Sequence, residues 1–400
     1  MTNGARPARG YLAEGDCLLA DLAAVTGEKT ELADYPQASA VEQNVLVYDG
    51  ARLRETVSSP AGRRNAEAEL ARALHDGPGI VMFAGAFEDL SVVDRATRQF
   101  EAIIAGQHAA GRTAGDHFAK PGQNDRIWNA LEKLALRAPD VFAAYYANDI
   151  VAVACHAWLG PGYQVTSQVN VVNPGGAAQT VHRDYHLGFQ SSPRAAQFPL
   201  HAHRLSPLLT LQGAVAHSDM PVETGPTMYL PHSQKYLPGY LAWRRADFRE
   251  YFEATHVQLP LRRGDAAFFN PALFHAAGAN RTTGINRMAN LLQVSSAFGR
   301  AMETVDRRAM STAVFPALRA MRDAGAAPPM IANAIAACAE GYSFPTNLDL
   351  DQPADGLAPM TQAEILARAV EQGWSQQRLE TELAAWASRR LTGSPVPPGR

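Results

Sequence analysis

Apolar and polar positions divide the chain into a helical first part, a strand-rich middle and a helical last part. Leu70 and Leu74 lie one helical turn apart before the break at Gly77-Pro78, which predicts a helix over residues 62–75. A short strand is predicted next, at residues 80–83. From about residue 162 to 298 the pattern is typical of β-strands, and from residue 300 onward it is helical again.

Other helices are predicted on both sides of the strand-rich part. Asp89 is expected to cap one of them, and the apolar positions of residues 127–134 indicate a second. Pro139 is expected to open a third helix that continues to Val153. Thr361 to Glu364 has the form of a capping box and predicts a helix near the end of the chain. We expect the apolar faces of these helices to pack in the hydrophobic core.

This organisation favours one main domain with additions at both ends. Single β-rich domains often reach about 200–250 residues, so a chain of 400 residues does not require two of them. We expect an N-terminal extension over residues 1–60 and a C-terminal helical extension over residues 301–400. Residues 61–300 are expected to form the main domain, with its own flanking helices at the N-terminal side.

Composition limits the classes of partner. Charged residues are 19% of the chain and the net charge is -3, so neither a polybasic nucleic-acid surface nor an acidic tail is expected. Cys17, Cys155 and Cys338 are widely spaced and predict neither a disulfide scaffold nor a zinc site. No signal peptide and no apolar run long enough for a membrane span is found. We expect a cytoplasmic protein that acts on a small molecule.

The candidate chemistry begins with the segment Val181-His182-Arg183-Asp184-Tyr185. If this segment is extended, His182 and Asp184 point to the same face, because side chains alternate along a strand. Far along the chain, His275 follows another short apolar run. Two histidines and one carboxylate are a ligand set that suits non-haem Fe(II) and leaves positions open. The sequence therefore predicts an iron site at His182, Asp184 and His275.

The iron site belongs to a longer series of motifs that resembles the phytanoyl-CoA dioxygenase family of Fe(II)/2-oxoglutarate-dependent oxygenases. The resemblance covers roughly residues 78–298. Its elements, in chain order, are His182-x-Asp184, Thr224-Gly225-Pro226-Thr227 before Leu230-Pro231-His232-Ser233, Gly264-Asp265 before an aromatic strand, His275, and Arg287.

The resemblance implies a mainly β core, a double-stranded β-helix or cupin-like jelly roll, flanked by α-helices. It also implies an enzyme that uses Fe(II), 2-oxoglutarate and O2 to hydroxylate, or otherwise oxidise, a C–H bond of a small molecule, with succinate and CO2 as co-products. Halogenating relatives lack the carboxylate ligand, so Asp184 favours hydroxylation over halogenation. No catalytic side chain beyond the iron ligands is expected, since the metal provides the difficult chemistry.

Arg287 is the residue expected to bind the far carboxylate of 2-oxoglutarate, because a guanidinium is planar, always charged and able to donate two hydrogen bonds to one carboxylate. Arg281 is the alternative. Asn170 resembles an amide that relatives use near the co-substrate, and Gln168 shares its face of the predicted strand. Ala277 departs from the family pattern, since many relatives have a small hydroxyl residue at this position.

Contacts to the substrate are predicted more weakly. Arg183 is unusual at its position and is expected either to face solvent or to meet an anionic substrate. His186 lies two residues after Asp184 and is expected in the same pocket, and Thr227 lies in the loop that shapes the barrel mouth in relatives. Arg244 and Lys235 are interpreted as a solvated face.

Two other classes of function remain open from the sequence. One is a cupin-like metalloenzyme that does not use 2-oxoglutarate. The other is a non-catalytic binding protein that keeps the barrel and uses the terminal extensions as interaction surfaces. The identity and stereochemistry of the substrate, the choice among hydroxylation, desaturation and cyclisation, and the oligomeric state are also left open.

Overall fold

The computed structural model of the protein describes residues 10–111, 123–353 and 356–391. The strands are β1 (Ala40–Glu42), β2 (Val45–Asp49), β3 (Ile80–Ala84), β4 (Asn124–Ile127), β5 (Gln164–Val172), β6 (Thr210–Ala216), β7 (Thr227–Leu230), β8 (Val257–Gln258), β9 (Ala266–Phe269), β10 (Phe274–Ala277) and β11 (Arg287–Ser295). The helices are α1 (Leu19–Thr26), α2 (Gly50–Val57), α3 (Pro60–His75), α4 (Leu90–Ala109), α5 (Ala130–Arg137), α6 (Pro139–Tyr146), α7 (Asp149–Leu159), α8 (Ser192–Ala195), α9 (Leu200–Leu205), α10 (Gly239–Ala242), α11 (Ala246–Thr255), α12 (Arg307–Asp323), α13 (Pro328–Cys338), α14 (Gln362–Glu371) and α15 (Gln376–Arg390).

Two sheets make up the β core. The larger sheet has the strand order β1-β2-β3-β9-β6-β11-β5-β4, and the smaller one has the order β10-β7-β8. Neighbouring strands are antiparallel except β2 with β3. Strands that follow one another in sequence mostly lie in different sheets or are not neighbours, as in a jelly roll. The predicted fold class is confirmed.

The two faces of the larger sheet have different roles. Along β11, Met288, Leu292 and Val294 pack into the main hydrophobic core with helices from both terminal parts of the chain. Arg287 and Gln293 belong to the alternate set of side chains and line a cavity between the two sheets. The alternation of side chains along a strand therefore separates core from candidate site within one element.

Several predicted helices are found where the sequence placed them. The helix predicted over residues 62–75 is α3, and the side chain of Asp89 caps α4 by accepting from the amide of Ser91. Thr361 and Glu364 form the predicted capping box at the start of α14. None of the helices in the described ranges has the length and apolar character needed to cross a membrane.

Two helix predictions were wrong at their boundaries. Ile127 ends β4, because its strand pairs with β5 opposite Val169, and the helix begins only at Ala130. The helix predicted from Pro139 onward is interrupted between α6 and α7. The side chain of Asn148 accepts from the amide of Val151 there and caps a separate helix.

Candidate active site

The three predicted metal ligands lie together. One potential ligand atom from each of His182, Asp184 and His275 lies within 4.8 Å of the others. Oδ2 of Asp184 is 3.8 Å from Nε2 of His182 and 3.5 Å from Nε2 of His275. The donor set, two imidazoles and one carboxylate, fits a divalent transition metal.

Backbone pairing brings these residues together. His275 lies on β10 and pairs with His182 in an isolated antiparallel bridge, so the segment containing His182 is paired at this residue without forming a longer strand. The amide of Asp184 donates to the carbonyl of Pro271 at 3.0 Å. Tyr185 then adopts a positive φ of 37°, which turns the chain away and ends the pairing.

Both histidines are oriented for metal binding. Nδ1 of His182 is 2.8 Å from the carbonyl oxygen of Thr180, and Nδ1 of His275 is 2.9 Å from that of Leu273. A carbonyl oxygen can only accept, so Nδ1 carries the proton in each ring and Nε2 keeps its lone pair. Hydrogen bonds of this kind fix the tautomer and orientation of a ligating histidine. The Nε2 atoms are the ones that face Asp184.

Asp184 and His182 have the charge states that a metal requires. Burial raises the pKa of Asp184, but the neighbouring His182 and His275 and the hydrogen bond from Gln212 outweigh burial and lower it to about 2. The amide Nε2 of Gln212 donates to Oδ2 of Asp184 at 2.5 Å. Burial lowers the pKa of His182, with partial compensation from Asp184. An ionised carboxylate and a neutral imidazole are the forms that bind metal.

Arg287 is a buried cation at the start of β11. Its Nη1 donates to the carbonyls of Thr224 and Gly278, both at 3.3 Å. Within the described part of the chain, no carboxylate forms an ion pair with it. Burial lowers the pKa of Arg287 to about 10, so the side chain remains charged at neutral pH. Arg281, the alternative, is exposed on the loop after β10.

The candidate ligands and Arg287 share one cavity of about 610 Å³. The larger sheet lines it with residues such as Asn170 and Gln212, and the smaller sheet lines it with Tyr229 and His275. Such a volume is in the range of small-molecule sites. The jelly roll therefore encloses the three candidate ligands and the buried arginine in the same space.

The comparisons with known proteins agree with this geometry. A sequence model of the phytanoyl-CoA dioxygenase family matches residues 63–289, which is more than half of the chain. The chain belongs to the phytanoyl-CoA dioxygenase family. The matched range includes His182, Asp184, His275 and Arg287, and the prediction of Fe(II), 2-oxoglutarate and O2 as cofactors is confirmed at the level of the family.

Solved structures similar to this family member were also found. One is SnoN, a non-heme alpha ketoglutarate dependent epimerase from nogalamycin biosynthesis, with 20% identity and a TM-score of 0.40 over 60% of this chain and 82% of that chain. Another is HygX from Streptomyces hygroscopicus with nickel, 2-oxoglutarate and hygromycin B bound, with 16% identity and a TM-score of 0.39 over 57% of this chain and 87% of that chain. No curated protein matches the chain.

The two amides predicted near the co-substrate differ in their surroundings. Asn170 and Gln168 both line the cavity, as expected from their shared face of β5. Oε1 of Gln168 accepts from Nη1 of Arg126 at 3.2 Å and from Nε2 of Gln293 at 3.4 Å. Oδ1 of Asn170 is buried and has no hydrogen-bond partner in the part of the chain that the structure describes. Asn170 is therefore the better placed of the two to accept from a ligand.

Arg183 lies in the core and does not face solvent. Its Nη2 donates to the carbonyls of Ser233 and Tyr236, and its guanidinium lies 5.2 Å from the ring centre of Tyr240 and 4.9 Å from that of Phe274. As the residue between two ligands in an extended segment, it points to the opposite side. Solvent exposure of Arg183 was a wrong expectation, and a substrate contact stays a prediction.

The other two predicted substrate residues, His186 and Thr227, differ in their position relative to the cavity. His186 is half-buried, with Nε2 3.4 Å from Oγ1 of Thr210, and it is not among the described residues that line the cavity. Thr227 does line the cavity. It also pairs directly with Ala277 across β7 and β10. Ala277 lacks the hydroxyl that many relatives have at this position, but the residue directly opposite it on the paired strand, Thr227, carries one.

Sequence reasoning missed Gln212 and misjudged Arg244. Gln212 is a polar residue between Leu211 and Gly213 in the buried strand β6, and this interruption of an otherwise apolar segment was the available signal. Arg244 was interpreted as part of a solvated face, but it is half-buried and lines the cavity. Lys235 is half-buried too, and its Nζ lies 2.6 Å from Oε2 of Glu28.

Proposed function

We propose that the protein is an Fe(II)- and 2-oxoglutarate-dependent oxygenase that hydroxylates a C–H bond of a small molecule and releases succinate and CO2. The observation that supports this proposal is the convergence of His182, Asp184 and His275 in one cavity with Arg287. A metal site alone would fit other cupin-like enzymes. The buried arginine without a carboxylate partner in the described ranges favours a co-substrate that is itself a carboxylate.

Nε2 of His182, Nε2 of His275 and a carboxylate oxygen of Asp184 would hold Fe(II) and leave open positions for other ligands. Fe(II) with 2-oxoglutarate and O2 supplies the oxidising chemistry when these are bound. The hydrogen bonds from Gln212 to Asp184, and from both histidines to backbone carbonyls, hold the three ligands in place. Because Asp184 occupies the third ligand position, hydroxylation is proposed rather than halogenation.

Arg287 would bind the far carboxylate of 2-oxoglutarate. Tyr229 lies close enough to Arg287 to affect its pKa, and Thr227 is two residues before Tyr229 on the same strand face. The hydroxyl of Thr227 can therefore donate to the same carboxylate and replace the hydroxyl that Ala277 lacks. Asn170, whose buried Oδ1 has no partner among the residues that the structure describes, is proposed as an additional polar contact in the cavity.

The catalytic unit is proposed to be residues 61–300, with residues 1–60 and 301–400 as extensions. Two strands of the first extension, β1 and β2, continue the larger sheet beyond β3. Helices α12 to α15 of the second extension pack into the main core. Met302 of the second extension also lines the cavity. Both extensions are thus proposed to support the barrel, and the second one also to contribute to the wall of the cavity.

Succinate release is the direct test of this function. The purified protein is incubated with Fe(II), ascorbate and 2-oxoglutarate, and succinate is measured with and without O2. We expect O2-dependent succinate formation that is lost in Asp184→Ala. Succinate no higher than in Asp184→Ala would contradict the proposal, and O2 consumption that is independent of 2-oxoglutarate would favour a cupin-like enzyme of another type.

A further inference from the structure

Arginines outnumber carboxylates around the cavity. Among the described residues that line it, Asp184 is the only carboxylate, whereas Arg126, Arg244, Arg249 and Arg287 are arginines; Arg183 also borders the cavity, but its guanidinium lies in the core. Asp184 is assigned to the metal in the proposed function. Arg287 is assigned to 2-oxoglutarate, and Arg183 donates to core carbonyls.

Arg244 is half-buried, Arg249 is exposed, and both line the cavity. Neither forms an ion pair with a carboxylate anywhere in residues 10–111, 123–353 and 356–391. Arg244 donates from Nη2 to the carbonyl of Gly188 at the long distance of 3.4 Å. Burial, and then the like charge of Arg249, lower the pKa of Arg244. Two neighbouring cations without a counter-charge favour binding of an anion.

Trp243 and Arg244 also present buried donors without acceptors. The guanidinium carbon of Arg244 lies 3.8 Å from the ring centre of Trp243, which holds the two side chains together. Nη1 of Arg244 and Nε1 of Trp243 are both buried, and neither has a hydrogen-bond partner among the described residues. Buried polar groups are rarely left unpaired, and both of these groups can only donate. A ligand with acceptor oxygens would satisfy them.

We propose that the substrate of the proposed oxygenase bears an anionic group, a carboxylate or a phosphate, that binds to Arg244 and Arg249 beside Trp243. This inference rests on the proposed function, because the reacting carbon of the bound substrate must lie near the metal. Phe189 and Tyr185 line the same cavity and offer apolar surface for the rest of the molecule. The substrate is therefore an amphipathic anion rather than a neutral or cationic compound.

Binding of simple aromatic probes tests the charge requirement. The full-length protein is loaded with Ni(II), which replaces Fe(II) without turnover, and with saturating 2-oxoglutarate, which occupies Arg287. Benzoate, phenyl phosphate and the neutral benzamide are then titrated by calorimetry. At least one of the two anions is expected to bind about tenfold more tightly than benzamide. The tighter of the two identifies the group as carboxylate or phosphate.

Variants locate the binding site. Arg244→Gln and Arg249→Gln are each expected to weaken binding of the preferred anion about tenfold, with unchanged affinity for 2-oxoglutarate. Arg244→Lys is expected to recover part of the lost affinity, because it restores the charge but not the planar guanidinium group. Arg64→Gln is the matched control, since Arg64 is exposed on α3 and lies outside the cavity.

Three results would overturn the inference. They are equal affinity for the anions and benzamide, anion affinity that is unchanged in both glutamine variants, and no binding of either anion at about 20 mM. The proposed function fails in a different way, namely if the unmodified protein binds no Ni(II) or no 2-oxoglutarate before any probe is added. The titrations with Ni(II) and 2-oxoglutarate therefore test the proposed function, and the later titrations with the aromatic probes test the inference about the substrate.

Discussion

His182 and His275 face each other in an antiparallel bridge in which the amide of each residue donates to the carbonyl of the other, at 2.9 and 3.1 Å. Their ring centres are 4.5 Å apart. Residues distant in sequence are thereby fixed relative to one another by main-chain hydrogen bonds. Each ring is also held by a backbone carbonyl through Nδ1, so main-chain groups set both the separation and the orientation of the two candidate ligands.

Removal of one bridge histidine should abolish tight metal binding. His275→Ala removes one of three ligand atoms, and we expect Fe(II) or Ni(II) affinity to fall by about a hundredfold or more. His201→Ala is the control, because His201 is exposed and lies outside the cavity. Calorimetric titration of the apoprotein measures both. Equal metal affinity in the two variants would show that the metal binds elsewhere.

Substitution of Arg287 should affect 2-oxoglutarate more than the metal. Loss of a charge-assisted pair is expected to raise the KM for 2-oxoglutarate about tenfold to a hundredfold in Arg287→Ala. Arg287→Lys should be intermediate, and the exposed Arg281→Ala should resemble the unmodified protein. Succinate release at varied 2-oxoglutarate measures this. Unchanged kinetics in Arg287→Ala would support a metalloenzyme that does not use 2-oxoglutarate.

Thr227 should contribute a weaker contact to the same co-substrate. Thr227→Val keeps the shape and removes the hydroxyl, so the KM for 2-oxoglutarate is expected to rise about threefold to tenfold. Thr227→Ser should stay near the original value. The double variant Thr227→Val with Ala277→Ser tests whether a hydroxyl on the paired strand restores the contact. A normal KM in Thr227→Val would remove Thr227 from the site.

Arg183 should stabilise the fold. Arg183→Met fills similar space but leaves the carbonyls of Ser233 and Tyr236 without their donor, so the free energy of unfolding should fall by about 1–3 kcal/mol. Urea unfolding monitored by fluorescence measures the change, with the exposed Arg64→Met as control. A stability equal to that of the control would mean that these buried hydrogen bonds contribute nothing net.

His217 should make the fold sensitive to acid. Burial lowers its pKa from the ordinary 6.5 to about 3, while Nδ1 contacts Thr97 at 2.8 Å and Nε2 contacts Tyr145 at 2.9 Å. Between these two pKa values the unfolded chain binds a proton that the folded chain does not, so stability falls as the pH falls through this window.

The expected contribution of His217 is at most about 1.4 kcal/mol per pH unit. In His217→Gln the free energy of unfolding should therefore decrease less steeply between pH 6 and about pH 4 than in the unmodified protein. Urea unfolding at a series of pH values measures the slopes, and His201→Gln serves as the exposed control. Parallel curves for all three proteins would exclude this role.

Local patterns in the sequence were enough to predict the kinds of residue at the site and the flanking helix caps. A two-residue spacing places His182 and Asp184 on one side of an extended chain, and the capping box at Thr361 needs only residues within one turn. Such features depend on neighbours in sequence. For the same reason, the sequence could not place the end of β4 at Ile127, because that strand exists only through its pairing with β5.

Taken alone, the sequence determined which residues are the candidate ligands, namely His182, Asp184 and His275, the candidate Arg287, and the class of fold. The tertiary structure decided that Arg287 rather than Arg281 is buried in the cavity, that Arg183 points into the core, that Thr227 stands opposite Ala277, and that Arg244 lies on Trp243 with no carboxylate partner in the described ranges. These relationships arise from strand order and register between distant segments, which a local pattern does not encode.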